Sequence, residues 1–114
     1  MRPPLALIDL HTTDESFGRL ASLTGDIDLS TVEDAGERLR EAIAGSEGTL
    51  AVDLREVTFL DSSGLRLLLQ LNQELAESGR RLVVVQGPRR VARVFELTGA
   101  VSELDVVAEP AEIS

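Results

Sequence analysis

The feature that most constrains the fold is the run Leu82–Val85, four consecutive apolar residues of which three are valines. A strand with one face in water alternates apolar and polar residues, whereas an unbroken apolar run rich in β-branched residues is typical of a strand that is covered on both faces. Such strands occur mainly in parallel sheets, whose neighbouring strands need crossover connections, usually helices. The run lies between two segments with helical periodicity. It therefore predicts an α/β fold with a mainly parallel sheet.

Three segments carry apolar residues at the spacing of an amphipathic helix. The first begins at Ser30 and Glu33, which have the spacing of a capping box, and it is expected to end at Gly45 and Gly48. The second is the most apolar segment of the chain, with leucines over residues 65–75 and a C-terminal cap at Ser78 and the following glycine.

The third helix is expected between Pro88 and Gly99, with Pro88 at the first helical position. The strands predicted around the helices are residues 5–10, 18–24, 50–54 with an extension over 57–60, 82–85 and 104–107. Residues 12–16 are expected to form a polar turn that makes the first two strands a hairpin, and residues 25–28 a tight polar loop. The β-α-β-α-β order from residue 49 onward requires right-handed crossovers. We expect one domain over residues 1–114, with four to five strands and helices mainly on one side.

Composition excludes several classes of protein. The net charge of -9 opposes binding to nucleic acid, and no basic cluster with interleaved aromatic residues is present. No stretch approaches the roughly 20 apolar residues of a membrane helix. The chain has no cysteine, which permits a reducing compartment, and residues 1–4 lack the pattern of a secretory signal. We expect a cytoplasmic protein without membrane insertion.

No constellation of catalytic residues is visible. His11 is the single histidine, so neither a multi-histidine metal site nor a Ser-His-Asp triad with a Gly-x-Ser-x-Gly motif can be assigned. A solvent-exposed position at the end of a strand is the simpler interpretation of His11. Phosphate-binding glycine loops are also missing. We expect no enzyme activity, no metal and no cofactor.

The segment from Asp61 to Gly64 joins a predicted strand to the start of the most apolar helix. In structural terms, Asp61 or Ser62 is an N-cap that satisfies free backbone N–H groups. In functional terms, a hydroxyl at a helix start is exposed to a kinase, and a phosphate would add about 1.5 to 2 negative charges there. The helix N-terminus tolerates such charge in part, while nearby aspartates oppose it.

Residues 57–65, VTFLDSSGL, resemble the signature of the STAS domain, and specifically of bacterial anti-sigma-factor antagonists. Three other segments agree with this resemblance: LTGDID at 23–28, PRRV at 88–91 and FELTG at 95–99. They occur in the family's order and span nearly the whole chain. Family members usually end with a further helix after the last strand, and the sequence after residue 108 does not supply one. The expectation is that this helix is absent, or that the sequence is truncated or a fragment of a longer protein.

The resemblance implies a partner-switching function. In that family the serine directly after the aspartate, here Ser62, is phosphorylated by a partner that is both anti-sigma factor and serine kinase, and Ser63 is the alternate acceptor. The unmodified protein binds the kinase, which then releases its sigma factor. The phosphorylated form binds poorly until a phosphatase restores it.

The resemblance also implies which residues contact the partner. Asp28 closes the Gly-x-x-Asp loop beside the phosphosite, and Asp61 and Gly64 shape the turn. ATP and its magnesium ion belong to the kinase. The predicted partner-binding set is Asp26, Asp28, Asp61, Ser62, Ser63 and Gly64. The alternative within the family is a STAS module of a transporter, a lipid-trafficking complex or a stress-sensor scaffold that is not controlled by phosphorylation.

Overall fold

The computed structural model describes residues 8–114, which form five strands and three helices. The strands are Asp9–Glu15 (β1), Gly18–Ile27 (β2), Thr49–Leu60 (β3), Leu82–Val85 (β4) and Asp105–Val107 (β5). The helices are Val32–Ala44 (α1), Ser62–Glu77 (α2) and Arg89–Thr98 (α3). Short 3₁₀ turns follow at Ala100–Ser102 and Pro110–Glu112.

The strands stand in the sheet in the order in which they occur in the chain, β1-β2-β3-β4-β5. The β1–β2 pair is antiparallel, and every later pair is parallel. Each helix therefore carries the chain one strand further in the same direction. Because such crossovers are right-handed, helices on successive crossovers lie on the same face of the sheet. The predicted α/β class, the mainly parallel sheet and the N-terminal hairpin are confirmed.

The core lies between that face of the sheet and the helices. Alternate β3 residues, which share one face of the strand, are fully buried at Leu50, Val52 and Leu54. They belong to one hydrophobic cluster with residues of all three helices, among them Leu39, Leu68, Leu71, Val91 and Phe95. All four residues of β4 are buried, as the apolar run Leu82–Val85 predicts. Within residues 8–114, no helix combines the length and apolar character needed to cross a membrane.

The N-terminal hairpin corrects two predictions. The predicted polar turn over residues 12–16 is wrong for its first four residues, which belong to β1, and the turn is Ser16 and Phe17. The polar side chains of residues 12–15 are exposed to solvent on an edge strand, where polar residues do not oppose strand pairing. The predicted first strand, residues 5–10, lies outside the described residues over positions 5–7.

The predicted loop over residues 25–28 is also wrong, because Gly25, Asp26 and Ile27 extend β2. Ile27 is buried, so the chain continues into the core before it turns. The extension predicted at residues 57–60 is continuous with residues 50–54 as the single strand β3.

Helix ends were predicted better than helix starts. Gly45 and Ser78 are the C-caps of α1 and α2, and Gly99 ends α3 in the left-handed conformation at φ 77°. The Ser30–Glu33 capping box is wrong, because α1 begins one residue later with Thr31 as its N-cap. Pro88 is the N-cap of α3 and not its first helical residue.

Candidate functional site

The predicted site residues gather where β2 and β3 end and where α1 and α2 begin. The Asp61 backbone N–H donates to the Ile27 carbonyl over 3.2 Å, which ties the end of β3 to the end of β2. The loop after β2 and the turn after β3 thus lie side by side at the carboxyl edge of a parallel sheet. In α/β proteins this edge is where functional loops collect.

Asp61 holds the first turn of α2. Its Oδ1 atom accepts hydrogen bonds from the Ser63 N–H at 2.9 Å, the Gly64 N–H at 3.3 Å and the Ser63 hydroxyl at 2.5 Å. Two of the backbone N–H groups that a helix start leaves free are therefore satisfied by one carboxylate. Of the two caps considered from the sequence, Asp61 is the cap and Ser62 is not.

Ser62 is the first residue of α2, and its side chain is exposed. Within residues 8–114 its hydroxyl makes no hydrogen bond with another protein group, in contrast to that of Ser63, which is only partly exposed and bound to Asp61. The two adjacent serines are thus chemically distinct. Ser62 presents a free hydroxyl to solvent, while the Ser63 hydroxyl is part of the cap.

Gly64 is buried where α2 meets the ends of both strands. A Cβ atom placed on Gly64 would lie 2.8 Å from Cγ2 of Ile27 and 3.2 Å from Cγ of Leu60. No real Cβ is accommodated at the first distance without a shift of its neighbour. Glycine is required here by close packing and not by backbone conformation, since Gly64 lies in a helix.

The loop after β2 is closed by its own hydrogen bonds. Asp28 accepts from the Ser30 N–H at 2.9 Å and from the Ser30 hydroxyl at 2.7 Å. Thr31, which is buried, donates its hydroxyl to the Asp26 carbonyl at 2.7 Å and accepts from the Asp28 N–H at 3.0 Å. The role of Thr31 was missed from the sequence: it occupies the N-cap position of α1, but its hydroxyl bonds back to the loop and not to the N–H groups of the helix start.

Asp28 and Asp61 approach each other, and both remain ionised at neutral pH. The hydrogen bond from the Ser30 hydroxyl lowers the pKa of Asp28. Partial desolvation raises the pKa of Asp61, but the hydrogen bonds from Ser63 and Gly64 outweigh it and leave that pKa below its usual value, with the Asp28 charge opposing them. The turn is therefore negatively charged before any modification.

Asp26 is held somewhat apart from this pair. Its Oδ1 atom accepts a hydrogen bond from the Thr58 hydroxyl on the neighbouring strand β3, where Asp26 pairs with Phe59 in the sheet. The structure thus brings Asp28, Asp61, Ser62, Ser63 and Gly64 together, with Asp26 fixed against β3 at the side.

Two exposed apolar side chains lie beside the acidic loops and were not singled out in the sequence. Leu29 follows Asp28 and is 80% exposed, and Phe59, near the end of β3, is 43% exposed. These two side chains place apolar area on either side of the acidic loops along the chain. The sequence pattern does not reveal that they are exposed, because Leu29 lies in a loop and Phe59 lies in a predicted strand, where an apolar residue is expected to be buried.

His11 does not belong to this group of residues. It is exposed in β1, opposite Ser22 of β2, and stands within the strand and not at its end. Among residues 8–114, no group of three or more histidine, aspartate or glutamate side chains is placed to hold a metal ion.

Comparisons with known proteins agree on one family. The family model described as "Mlab, STAS domain" matches residues 14–105. The anti-sigma-B factor antagonist of Staphylococcus aureus is 26% identical over 92 residues, covering 81% of this chain and 85% of the relative. The anti-sigma-F factor antagonist RsfB of Mycobacterium tuberculosis is 31% identical over 80 residues, covering 70% of this chain and 66% of that protein.

Solved structures show the same fold. A crystal structure of an anti-sigma factor antagonist from Mycobacterium paratuberculosis superposes with a TM-score of 0.83 at 23% identity, covering 93% of this chain and 90% of that one. The anti-sigma factor antagonist SpoIIAA, in its unphosphorylated form, superposes with a TM-score of 0.73 at 22% identity, covering 92% of this chain and 93% of the other.

Proposed function

Because this chain belongs to the STAS domain family, we propose that it is an anti-sigma-factor antagonist whose binding is controlled at Ser62. In this proposal the unmodified protein binds an anti-sigma factor that is also a serine kinase. Phosphorylation of Ser62 by that kinase weakens the complex, and a phosphatase reverses it. The exchange takes place in the cytoplasm, and ATP with its magnesium ion is bound by the kinase.

The observation that supports the proposal most is the free, exposed hydroxyl of Ser62 in a turn that other residues hold. Asp61 and Gly64 maintain the start of α2 through hydrogen bonds and close packing. Ser62 contributes to neither of these. A phosphate could therefore be added without removing any contact on which the turn depends.

The electrostatics favour a change in recognition over a change in fold. A phosphoserine carries about 1.5 to 2 negative charges at neutral pH. The first turn of α2 tolerates them in part, because the helix dipole is positive there. The carboxylates of Asp61 and Asp28 repel them. The added charge thus alters an already acidic surface while the helix remains formed.

Ser63 is the weaker acceptor in this proposal. Its hydroxyl is engaged with the Asp61 carboxylate at 2.5 Å and is partly buried. Phosphorylation there would break that hydrogen bond and place a dianion against a carboxylate. Because the Asp61 carboxylate is the cap of α2, modification of Ser63 would destabilise the start of this helix.

The proposed partner surface combines the acidic turn with the apolar side chains next to it. Leu29 and Phe59 supply apolar area, and Asp28 and Asp61 supply charge. Such a patch fits a partner surface that is apolar at its centre and carries arginine or lysine at its rim. A phosphate placed at Ser62 adds charge at this contact.

The test is phosphorylation by candidate anti-sigma kinases with ATP, followed by intact-protein mass measurement. Wild type and Ser63→Ala are expected to gain one phosphate, and Ser62→Ala none. Equal modification of wild type and Ser62→Ala would overturn the assignment of the acceptor. No modification by any kinase that binds the protein would overturn phosphorylation control itself.

Binding separates this function from the scaffold alternative. We expect Ser62→Asp to weaken the complex with the kinase in calorimetry, although aspartate carries less charge than phosphate. A partner complex whose affinity is unchanged by Ser62→Asp and by phosphorylation would instead support a STAS module that docks on a larger assembly without phosphorylation.

A further inference from the structure

Arg66 stands one helical turn after Ser62 on α2. Residues four apart on a helix are neighbours on its surface, with Cβ atoms about 5–6 Å apart. Both side chains are exposed. A side chain modified at position 62 would therefore meet the arginine stem and guanidinium as its next neighbour along the helix.

Arg66 has no carboxylate partner among the described residues. Two arginines of the facing helix α1 are paired: Arg38 with Asp34 at 3.3 Å and Arg40 with Glu74 at 2.8 Å. The Arg66 guanidinium makes neither an ion pair nor a hydrogen bond within residues 8–114, although the groove between α1 and α2 beside it also contains Glu33 and Glu37. It is a cation with no existing polar contact to give up.

We propose that Arg66 forms an ion pair with the phosphate of phosphorylated Ser62 and holds it along α2. This inference rests on the proposed function, because it concerns the modified form of the same serine. A guanidinium offers several donors to phosphate oxygens and forms bidentate contacts with them. The unmodified hydroxyl carries no charge, so the pair exists only after modification.

Among the residues that the structure describes, no other charged group near residue 62 is a cation without an ion-pair partner. Asp61 precedes the serine, and Asp28 approaches from the loop after β2; both are anionic and repel a phosphate. Glu33 and Glu37 on α1 line the groove. Arg40, the other arginine in that groove, is already engaged by Glu74. Arg66 is therefore the side chain that can bind the phosphate and restrict its motion.

The pair predicts that phosphorylation gives an ordered surface and not merely an additional charge. The phosphate would be drawn along the helix toward Arg66 and away from Asp61 and Asp28. Part of its charge would be neutralised, and the Arg66 side chain would be withdrawn from the α1–α2 groove.

The experiment uses protein in which phosphoserine is introduced at position 62 by genetic encoding, so that no kinase is involved. The second pKa of the phosphate, ordinarily about 6, is followed by ³¹P NMR over a pH titration. A nearby cation favours the dianion, so this pKa is expected to be about half a pH unit lower in the otherwise wild-type protein than in Arg66→Gln. Arg93→Gln is the matched control, because it removes an exposed arginine of α3 that forms no ion pair within residues 8–114.

Equal phosphate pKa values in the Arg66→Gln and wild-type backgrounds would overturn the pair. An equal shift in Arg93→Gln would also overturn it, because the effect would then reflect net charge alone. Arg66→Lys is expected to retain about half of the shift, since lysine keeps the charge but not the fork geometry. Circular dichroism of the unmodified variants verifies that each is folded. The kinase assay tests the proposed function separately, so either idea can fail alone.

Discussion

Two helices begin at the same edge of the sheet, α2 after β3 and α3 after β4, and their first turns are built in different ways. The α2 start is held by a side chain, since Asp61 accepts from two backbone N–H groups. At α3 the N-cap is Pro88, which makes no side-chain hydrogen bond. A Cβ on the glycine before it, Gly87, would lie 2.7 Å from the Leu54 carbonyl, so close packing of the chain contributes there.

The difference shows what a turn needs if one of its residues is to be modified. At α2 the structural tasks fall to Asp61 and Gly64, which flank the two serines, and the Ser62 hydroxyl takes no part in them. At α3 the corresponding exposed residues are Arg89 and Arg90, and the turn before them depends on the restricted backbone of proline. We therefore expect the stability of the α2 start to depend on pH through the Asp61 carboxylate, and that of the α3 start not to, because its N-cap has no titrating side chain.

The largest expected effect comes from filling the space at Gly64. Gly64→Val is expected to lower the free energy of unfolding by about 3 kcal/mol, because its Cβ would overlap the short, branched side chain of Ile27. The chain has no tryptophan or tyrosine, so unfolding in urea is best followed by circular dichroism.

Gly36→Ala is the matched control, because Gly36 is a buried glycine within α1 whose added Cβ would meet the flexible ends of Arg40 and Leu67. Its stability is expected to change by less than about 1 kcal/mol, since helix propensity offsets the crowding. If Gly64→Val were as stable as Gly36→Ala, close packing would not define the α2 start.

Removal of the cap is expected to have the next largest effect. Asp61→Ala should lower the free energy of unfolding by about 1–2 kcal/mol at pH 7, because two N–H groups and the Ser63 hydroxyl lose their acceptor. Asp61→Asn keeps an acceptor oxygen and should lower the free energy of unfolding by a smaller amount. Equal stability of wild type and Asp61→Ala would show that the turn does not need its cap.

The α2 cap should also respond to pH. The pKa of Asp61 is lower in the folded chain than its ordinary value, so its charge stabilises the fold above the unfolded-state pKa of about 3.9. That contribution is lost as the pH falls through the lower, folded-state value. The stability difference between wild type and Asp61→Asn, measured by urea unfolding between pH 7 and pH 3, should therefore be constant above about pH 5 and narrow below it.

The smallest expected effect is at the α3 start. Pro88→Ala should lower the free energy of unfolding by about 0.5 kcal/mol, mainly because alanine gives the unfolded chain more conformations. The difference should not depend on pH between 7 and 3, because the N-cap of α3 has no titrating side chain. The two helix starts would not differ as proposed if Pro88→Ala lowered the free energy of unfolding as much as Asp61→Ala does. The same conclusion would follow if the effect of Pro88→Ala changed with pH.

The sequence predicted the α/β order and narrowed the cap of α2 to Asp61 or Ser62, because these features depend on local patterns. The buried run Leu82–Val85 and the leucines of α2 need no knowledge of distant contacts. The start of α1 was wrong for the opposite reason. Ser30 and Glu33 have capping spacing, but the buried Thr31 hydroxyl reaches back to the Asp26 carbonyl and takes the N-cap position. That contact depends on β2 extending as far as Ile27, which a polar Gly-Asp sequence does not indicate.

Within the candidate site, the residues that gather at the turn were predictable, but their hydrogen bonds were not. The resemblance implies Ser62 as the phosphorylated serine, and no pattern tells which of the two adjacent serine hydroxyls binds the Asp61 carboxylate. The phosphorylation of Ser62 stays a prediction, and so do the partner-binding roles of the predicted set: Asp26, Asp28, Asp61, Ser62, Ser63 and Gly64. The exposure of Leu29 and Phe59 depends on tertiary packing and could be seen only in the structure.

The sequential strand order has a consequence for the speed at which the domain folds. Every strand pairs with the strand that precedes it in the sequence, so no pairing joins distant segments of the chain. The contacts that shape the turn at Asp61 join this turn to Ile27 and Leu60, which lie on the two strands before α2. The entropy lost on closing these contacts is therefore small for a mainly parallel sheet, and we expect the domain to fold rapidly and as one unit.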